Sequence, residues 1–257
     1  MFCQTLDHQK IGYVMLIDII NAEGNQSKIV RLSDELTELC EEITNDEETR
    51  AIILKGSGDN VFSMGTDLIM QASEAKGEPW EKLWSLAEPV ARLDRPVIAA
   101  VNGDAIGQGL EFVLACDIRI ASEKSRFGFP HIEEGHIPWD GGTQRLSRLV
   151  GRGRALEMIL TGEMIDAQEA FRIGLVNRVV SKEELMKAAM DMAEEMAAKG
   201  PIALRYAKEA IYKGMDMSLE EGLRLEADLY FLLHTTRDRT EGIRAFQEKR
   251  APRFEGR

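Results

Sequence analysis

The segment Pro96-Val-Ile-Ala-Ala-Val101 is apolar at every position and runs straight into Asn102-Gly103. A strand with one face in water alternates apolar and polar residues. One that is apolar throughout needs cover on both faces, as in a parallel sheet flanked by helices. Tyr13–Ile19, Ala51–Lys55 and Asp117–Ala121 also read as strands. Between them, Ser33–Ile43 and Trp80–Leu93 carry apolar residues at helical spacing. This alternation predicts an α/β chain with a mainly parallel sheet. From Gly151 onward the pattern is nearly all helix. Asp166 with Glu169, and Ser181 with Glu184, have capping-box spacing. The second pair opens a helix with Leu185, Ala189, Met192 and Met196 on one apolar face. The expected organisation is an α/β core over residues 1–200 and a helical region over 201–257.

A length of 257 residues suffices to bury such a core. The net charge of -12 argues against nucleic acid as a partner, because phosphates would be repelled. No apolar run approaches the ~18 residues of a membrane span, and the opening residues MFCQTLDHQK lack the pattern of a signal peptide. Cys3, Cys40 and Cys116 lie far apart without metal-ligand spacing, so no metal site is expected. These features point to a reducing, cytoplasmic setting. The charge is uneven: Arg237–Arg257 holds seven Lys/Arg against four acids, a tail of +3 on a body of -15. Such a tail is either a solvated helix face or a local phosphate site.

Three segments carry candidate chemistry. Val61-Phe-Ser-Met-Gly-Thr-Asp-Leu68 is a turn following the Ala51–Lys55 strand. In Val101-Asn-Gly-Asp-Ala-Ile-Gly-Gln-Gly-Leu-Glu-Phe112 the apolar strand enters a Gly-rich turn that opens a short helix. Glycine permits positive φ and close backbone approach. A helix start offers amides without intrahelical acceptors and a partial positive charge. Together they can seat a developing oxyanion, with Glu111 one turn after Gln108. Read alone, this pattern is more often a tight strand–helix junction with Glu111 as a helix-terminus charge. The third segment, Phe127 to Leu146, combines His131, His136, Glu133, Glu134, Trp139 and Asp140 with a Gly141-Gly142 turn.

In this order the segments resemble the crotonase (enoyl-CoA hydratase/isomerase) superfamily. The matching runs are Arg95-Pro-Val-Ile-Ala-Ala-Val-Asn-Gly103, Cys116-Asp117, Ile137-Pro138, Gly141-Gly-Thr-Gln-Arg-Leu146 and Leu160-Thr-Gly-Glu163. Ala167-Gln-Glu-Ala-Phe-Arg-Ile-Gly-Leu-Val176 and the ending Glu241–Phe254 extend the likeness across roughly residues 10 to 255. Several motifs in register make chance agreement remote.

The resemblance implies a ββα spiral core followed by helices that trimerise the chain, as a homotrimer or a dimer of trimers. It implies an acyl-CoA thioester as substrate, so that coenzyme A enters with the substrate and no cofactor is held permanently. By position, Thr66 and Gln108 would supply the two backbone N–H groups of an oxyanion hole. Met64, Asp67, Leu68 and Trp139 would line the substrate site, and Lys249 and Arg250 would approach the CoA phosphates. Hydratases of the family typically use two glutamates. Glu111 matches one of them, but His131 stands where the other follows Pro130. An imidazole can still act as an acid or base near neutral pH. The His131 segment is also similar to the family's 6-oxocamphor hydrolase branch, in which a His and an Asp nine residues later activate water for C–C cleavage. Asp140 holds that second position here. A non-catalytic RNA-binding branch carries a lysine-rich N-terminal helix, whereas Ser33–Ile43 is acidic.

Overall fold

The computed structural model describes residues 5–20, 26–56, 61–63 and 85–257. Its main sheet has six strands in the order β1-β2-β3-β5-β7-β10: Leu6–Ile11, Val14–Ile19, Ala51–Gly56, Val97–Val101, Ile118–Ser122 and Arg178–Val180. Only β1 is antiparallel to its neighbour; β2 through β10 pair in parallel. A smaller sheet takes β4 (Val61–Ser63), β6 (Asp104–Ile106), β8 (Arg126–Gly128) and β9 (Ile165–Asp166). The helices are α1 Gln26–Asn45, α2 Ala87–Ala91, α3 Gln108–Leu114, α4 Gly142–Val150, α5 Arg152–Thr161, α6 Ala167–Arg172 and α7 Leu185–Ala197. Three more follow: α8 Pro201–Gly214, α9 Leu219–Leu233 and α10 Arg237–Glu248. A 3-10 turn covers Pro130–Glu134.

Strand β5 is buried at all five positions, as its lack of polar residues requires. Its side chains alternate between two clusters. Val97, Ala99 and Val101 join the larger core with α1, α2 and α3, where Leu36, Val90, Leu110 and Phe112 pack. Ile98 and Ala100 face the other way, with Ala51 and Ile53 of β3, onto Leu185, Ala189, Ala193 and Ala197 of α7. Alanines on both sides of that contact let the helix lie close on the sheet.

The buried face of α7 is Leu185-Ala189-Ala193-Ala197; of the expected face, Leu185 and Ala189 lie on it, whereas Met192 and Met196 are only partly buried at its edge. Asp166 caps α6 through the Glu169 N–H (2.8 Å). Ser181 instead bonds the Glu184 side chain, and the helix begins at Leu185. Of Trp80–Leu93, residues 80–84 lie outside the described residues, and the rest forms only the short α2. Arg50 donates to the Ala197 and Phe254 carbonyls, tying the chain's last turns to the sheet.

Candidate active site

The site is built where β6 becomes α3. Gly107 (φ 58°, ψ -128°) turns the chain directly from strand to helix in a conformation that side-chain-bearing residues avoid. Its N–H donates to the Gly128 carbonyl (3.0 Å), fastening the turn to β8. Every residue of α3 is buried. The first amides of any helix have no acceptor within it, and Gln108 N–H is the first of these.

Glu111 is 0 % exposed. Its Oε1 accepts a 2.7 Å bond from Gly142 N–H, the first amide of α4. Only glycine fits at 142. A Cβ there would lie 2.7 Å from Pro138 Cβ, 2.9 Å from Glu111 Oε1 and 3.0 Å from the Phe129 ring. Burial pushes the Glu111 carboxyl up to about 8; the nearby Asp140 charge adds to this, and the Gly142 amide opposes it. The group is therefore largely protonated at neutral pH. Oε1 accepts an amide, and Oε2 has no hydrogen-bond partner among the described residues, so Oε2 is the oxygen open to a proton.

Asp140 is 7 % exposed, and its partners are not those of a His–Asp dyad. Oδ1 accepts from Ser85 Oγ (2.5 Å); Oδ2 accepts from Leu86 N–H (2.9 Å), Ala87 N–H (3.1 Å) and Gln108 Nε2 (3.3 Å). Burial raises this carboxyl too, against the hydrogen bonds it accepts. No bond joins it to His131. That residue sits half-buried on the 3-10 turn, its ring 5.8 Å from those of both Phe129 and His136. His136 faces Glu134 (3.5 Å). The structure thus brings Glu111, Gln108 and Asp140 together, and leaves His131 on a neighbouring segment.

Trp139 is partly exposed beside this turn. Lys249 caps α10 in a left-handed conformation (φ 53°) and makes no ion pair among the described residues. Arg250 is engaged: Glu241 accepts two of its bonds (2.6 and 3.0 Å), and Glu248 a third (2.6 Å). Met64, Thr66, Asp67 and Leu68 lie outside the described residues. Sequence reasoning missed three parts of the site: the Gly142 amide, Ser85 at the start of α2, and Arg145, whose Nη1 donates to the Asp140 carbonyl (2.8 Å). The Gly-Gly pair signalled the first; nothing local signalled Ser85.

A cavity of about 780 Å³ opens at the other end of α3, lined by Leu114, Cys116, Leu149, Lys208, Tyr212 and Met215. Its lining also includes Gly141, Gln144 and Arg145, next to the turn that holds Glu111, but neither Gln108 nor Glu111.

The family model for enoyl-CoA hydratase/isomerase matches residues 12–257. A short-chain-enoyl-CoA hydratase of Clostridium acetobutylicum is 43% identical over 246 residues, covering 94% of each chain. A crotonyl-CoA hydratase of Syntrophomonas wolfei is 39% identical over 236 residues, covering 90% of this chain and 88% of that one. Among solved structures, an enoyl-CoA hydratase from Bacillus anthracis superposes with a TM-score of 0.90 at 39% identity, over 99% of this chain and 100% of the other.

Proposed function

Since the chain belongs to the enoyl-CoA hydratase/isomerase family, and so is an acyl-CoA-processing enzyme, we propose that it hydrates a short-chain enoyl-CoA with Glu111 as the proton donor. One observation carries this reading: a fully buried carboxyl whose Oε1 accepts the first amide of α4, one turn after the start of α3. In the proposed reaction the thioester carbonyl accepts the Gln108 N–H and, by resemblance, the Thr66 N–H. His131 takes a proton from water as the water oxygen bonds the β-carbon. The alkene electron pair moves into the thioester enolate, which the two amides stabilise. Glu111 Oε2–H then protonates the α-carbon, and the proton held by His131 returns to the carboxylate. An imidazole as base and a buried carboxyl as acid can divide the two proton transfers. The dyad reading would require Asp140 to exchange its four present partners for His131, and no observation favours it.

Coenzyme A is the substrate's carrier in this reading, approached by Lys249, whose ammonium makes no ion pair among the described residues; Arg250 already serves Glu241 and Glu248. Met64, Asp67, Leu68 and Trp139 are proposed to line the acyl site. The helices of 201–257 leave Ile211, Leu219, Phe231 and Phe246 more than half exposed. These side chains support self-association, proposed as a trimer or a dimer of trimers. No helix among the described residues is long and apolar enough to cross a membrane, and a cytoplasmic setting is proposed with it. The names of the relatives favour crotonyl-CoA as the first probe. The test is a panel of crotonyl-CoA, a cyclic enoyl-CoA, a β-ketoacyl-CoA and a CoA-free β-diketone, with products identified by mass. Conversion of crotonyl-CoA to a product one water heavier is expected. Turnover of the diketone alone would overturn the reading.

A further inference from the structure

Gln108 and Asp140 are 32 residues apart in sequence, yet their side chains bond inside the protein. The same carboxylate takes three more donors from Ser85, Leu86 and Ala87, which lie 53 to 55 residues away. Every one of these four contacts is a donor aimed at Asp140, and the carboxylate donates to none. Two of them are amides at the start of α2, and such a group stabilises a helix start by ~1 kcal/mol in ordinary cases. Here it does more than cap. The residue joins three segments: the start of α2, the start of α3, and the turn 139–142 that presents Gly142 N–H to Glu111. Arg145 closes the turn from the other side through the Asp140 carbonyl.

We propose that Asp140 is a positioning residue, which fixes the Gln108 amide at the start of α3 and the Gly142-held carboxyl of Glu111 in one mutual geometry. The proposal rests on the hydratase reading only for what that geometry serves. Its physical basis is that the two groups must act on one substrate at once, one on the thioester oxygen and one on the carbon beside it. They share the helix α3, but Glu111's orientation is set from α4, and nothing within α3 fixes that relation. Misplacement by about 1 Å costs a reaction of this kind on the order of 10²-fold.

Asp140 also sets the charge around Glu111. The charged groups facing Glu111 are Asp140 from the turn and Arg145 from α4, and they act in opposite senses. On α2, Glu88 lies 3.9 Å from Arg145; the nearby 3-10 turn carries His131, Glu133 and Glu134. Removing the Asp140 charge leaves Arg145 less opposed, so Glu111 should give up its proton more readily.

The experiment compares wild type with Asp140→Asn, Gln108→Ala and the double variant, using the full chain. kcat and KM for crotonyl-CoA are measured across pH, and amide hydrogen exchange is followed at Leu86 and Ala87. Gln108→Ala keeps the backbone amide and removes the tie to Asp140, without touching the α2 cap. The expected results are as follows. Asp140→Asn lowers kcat about 10- to 10²-fold, with KM within about threefold. The alkaline limb of its pH profile moves to lower pH. Gln108→Ala loses a smaller part of kcat, and the double variant is no worse than Asp140→Asn, since parts of one unit are non-additive. Leu86 and Ala87 exchange faster in Asp140→Asn and unchanged in Gln108→Ala. A wild-type kcat and pH profile in Asp140→Asn would overturn the proposal, as would fully additive losses. If wild type turns over no enoyl-CoA, the hydratase reading fails separately. The tether is then judged on exchange alone, and unaltered exchange at Leu86 and Ala87 overturns it.

Discussion

Replacing Glu111 by Gln should stabilise the protein at high pH while disabling it. The unfolded chain ionises this group near 4.5, and the folded chain near 8. The folded state therefore binds the extra proton between those values, and stability falls as pH rises through that window, levelling above about 8. At 1.36 kcal/mol per unit, the penalty grows from about 1 kcal/mol near pH 5 to about 5 kcal/mol near pH 9. Gln carries no such penalty, but its NH2 group, in place of Oε2, leaves a buried donor unpaired at ~1–3 kcal/mol. That cost is the same at both pH values and cancels in the comparison. The variant should lose about 0–2 kcal/mol relative to wild type near pH 5 and gain about 2–4 near pH 9. The difference of about 4 kcal/mol between the two conditions is the robust quantity. Urea unfolding of both proteins at one fixed concentration measures it, since self-association would otherwise contribute. Turnover should fall by ~10²–10⁴. Stability curves that run parallel to within about 1 kcal/mol from pH 5 to 9 would refute the buried, neutral carboxyl. Undiminished kcat would refute its role.

Three further outcomes follow from the same geometry. Gly142→Ala forces the turn away from Pro138, Phe129 and Glu111. It should cost ~1–3 kcal/mol of stability and most of the turnover, read by thermal melts and kcat. His131→Glu restores the residue type usual in the family's hydratases and should retain or raise hydration of crotonyl-CoA; a dead His131→Glu with an active His131→Ala would exclude a proton-transfer role at this position. Lys249→Ala should weaken CoA binding more than dephospho-CoA binding, and the loss should shrink with added salt, whereas Arg250→Ala should act less, because Arg250 already serves Glu241 and Glu248. Titration of both ligands by calorimetry distinguishes the two.

The strands that sequence revealed are those covered on both faces, β2, β3, β5 and β7, because burial on two sides leaves a run of apolar residues. Strand β1 escaped, since five of its six residues face water and Leu6 alone is buried. The three-residue strands β4, β6, β8 and β10 are too short to show any period. Helix α1 starts at Gln26, seven residues before its apolar spacing becomes regular. Within the site, Glu111 and Gln108 were legible because one Gly-rich turn holds both. The partners of Asp140 were not. The likeness to the 6-oxocamphor hydrolase branch suggested a pair with His131, but a carboxylate takes the donors the fold supplies. Here those came from a segment more than fifty residues upstream.

The alternation along β5 also gives one strand two separate sets of packing neighbours. Ile98 and Ala100 answer to α7, while Val97, Ala99 and Val101 answer to the layer that contains α3. A volume gained at Ala193 and surrendered at Ile98 is settled between neighbours on the far face of the sheet. The helix that carries Glu111 does not move to accommodate it. Bulk can therefore be exchanged across the α7 contact with little demand on the layer that contains α3. A library randomised at Ile98, Ala100, Ala189 and Ala193 should yield many folded, active members. One randomised at Val97, Ala99, Val101 and Leu110 should yield few, and sequencing the active survivors of both would display that asymmetry directly.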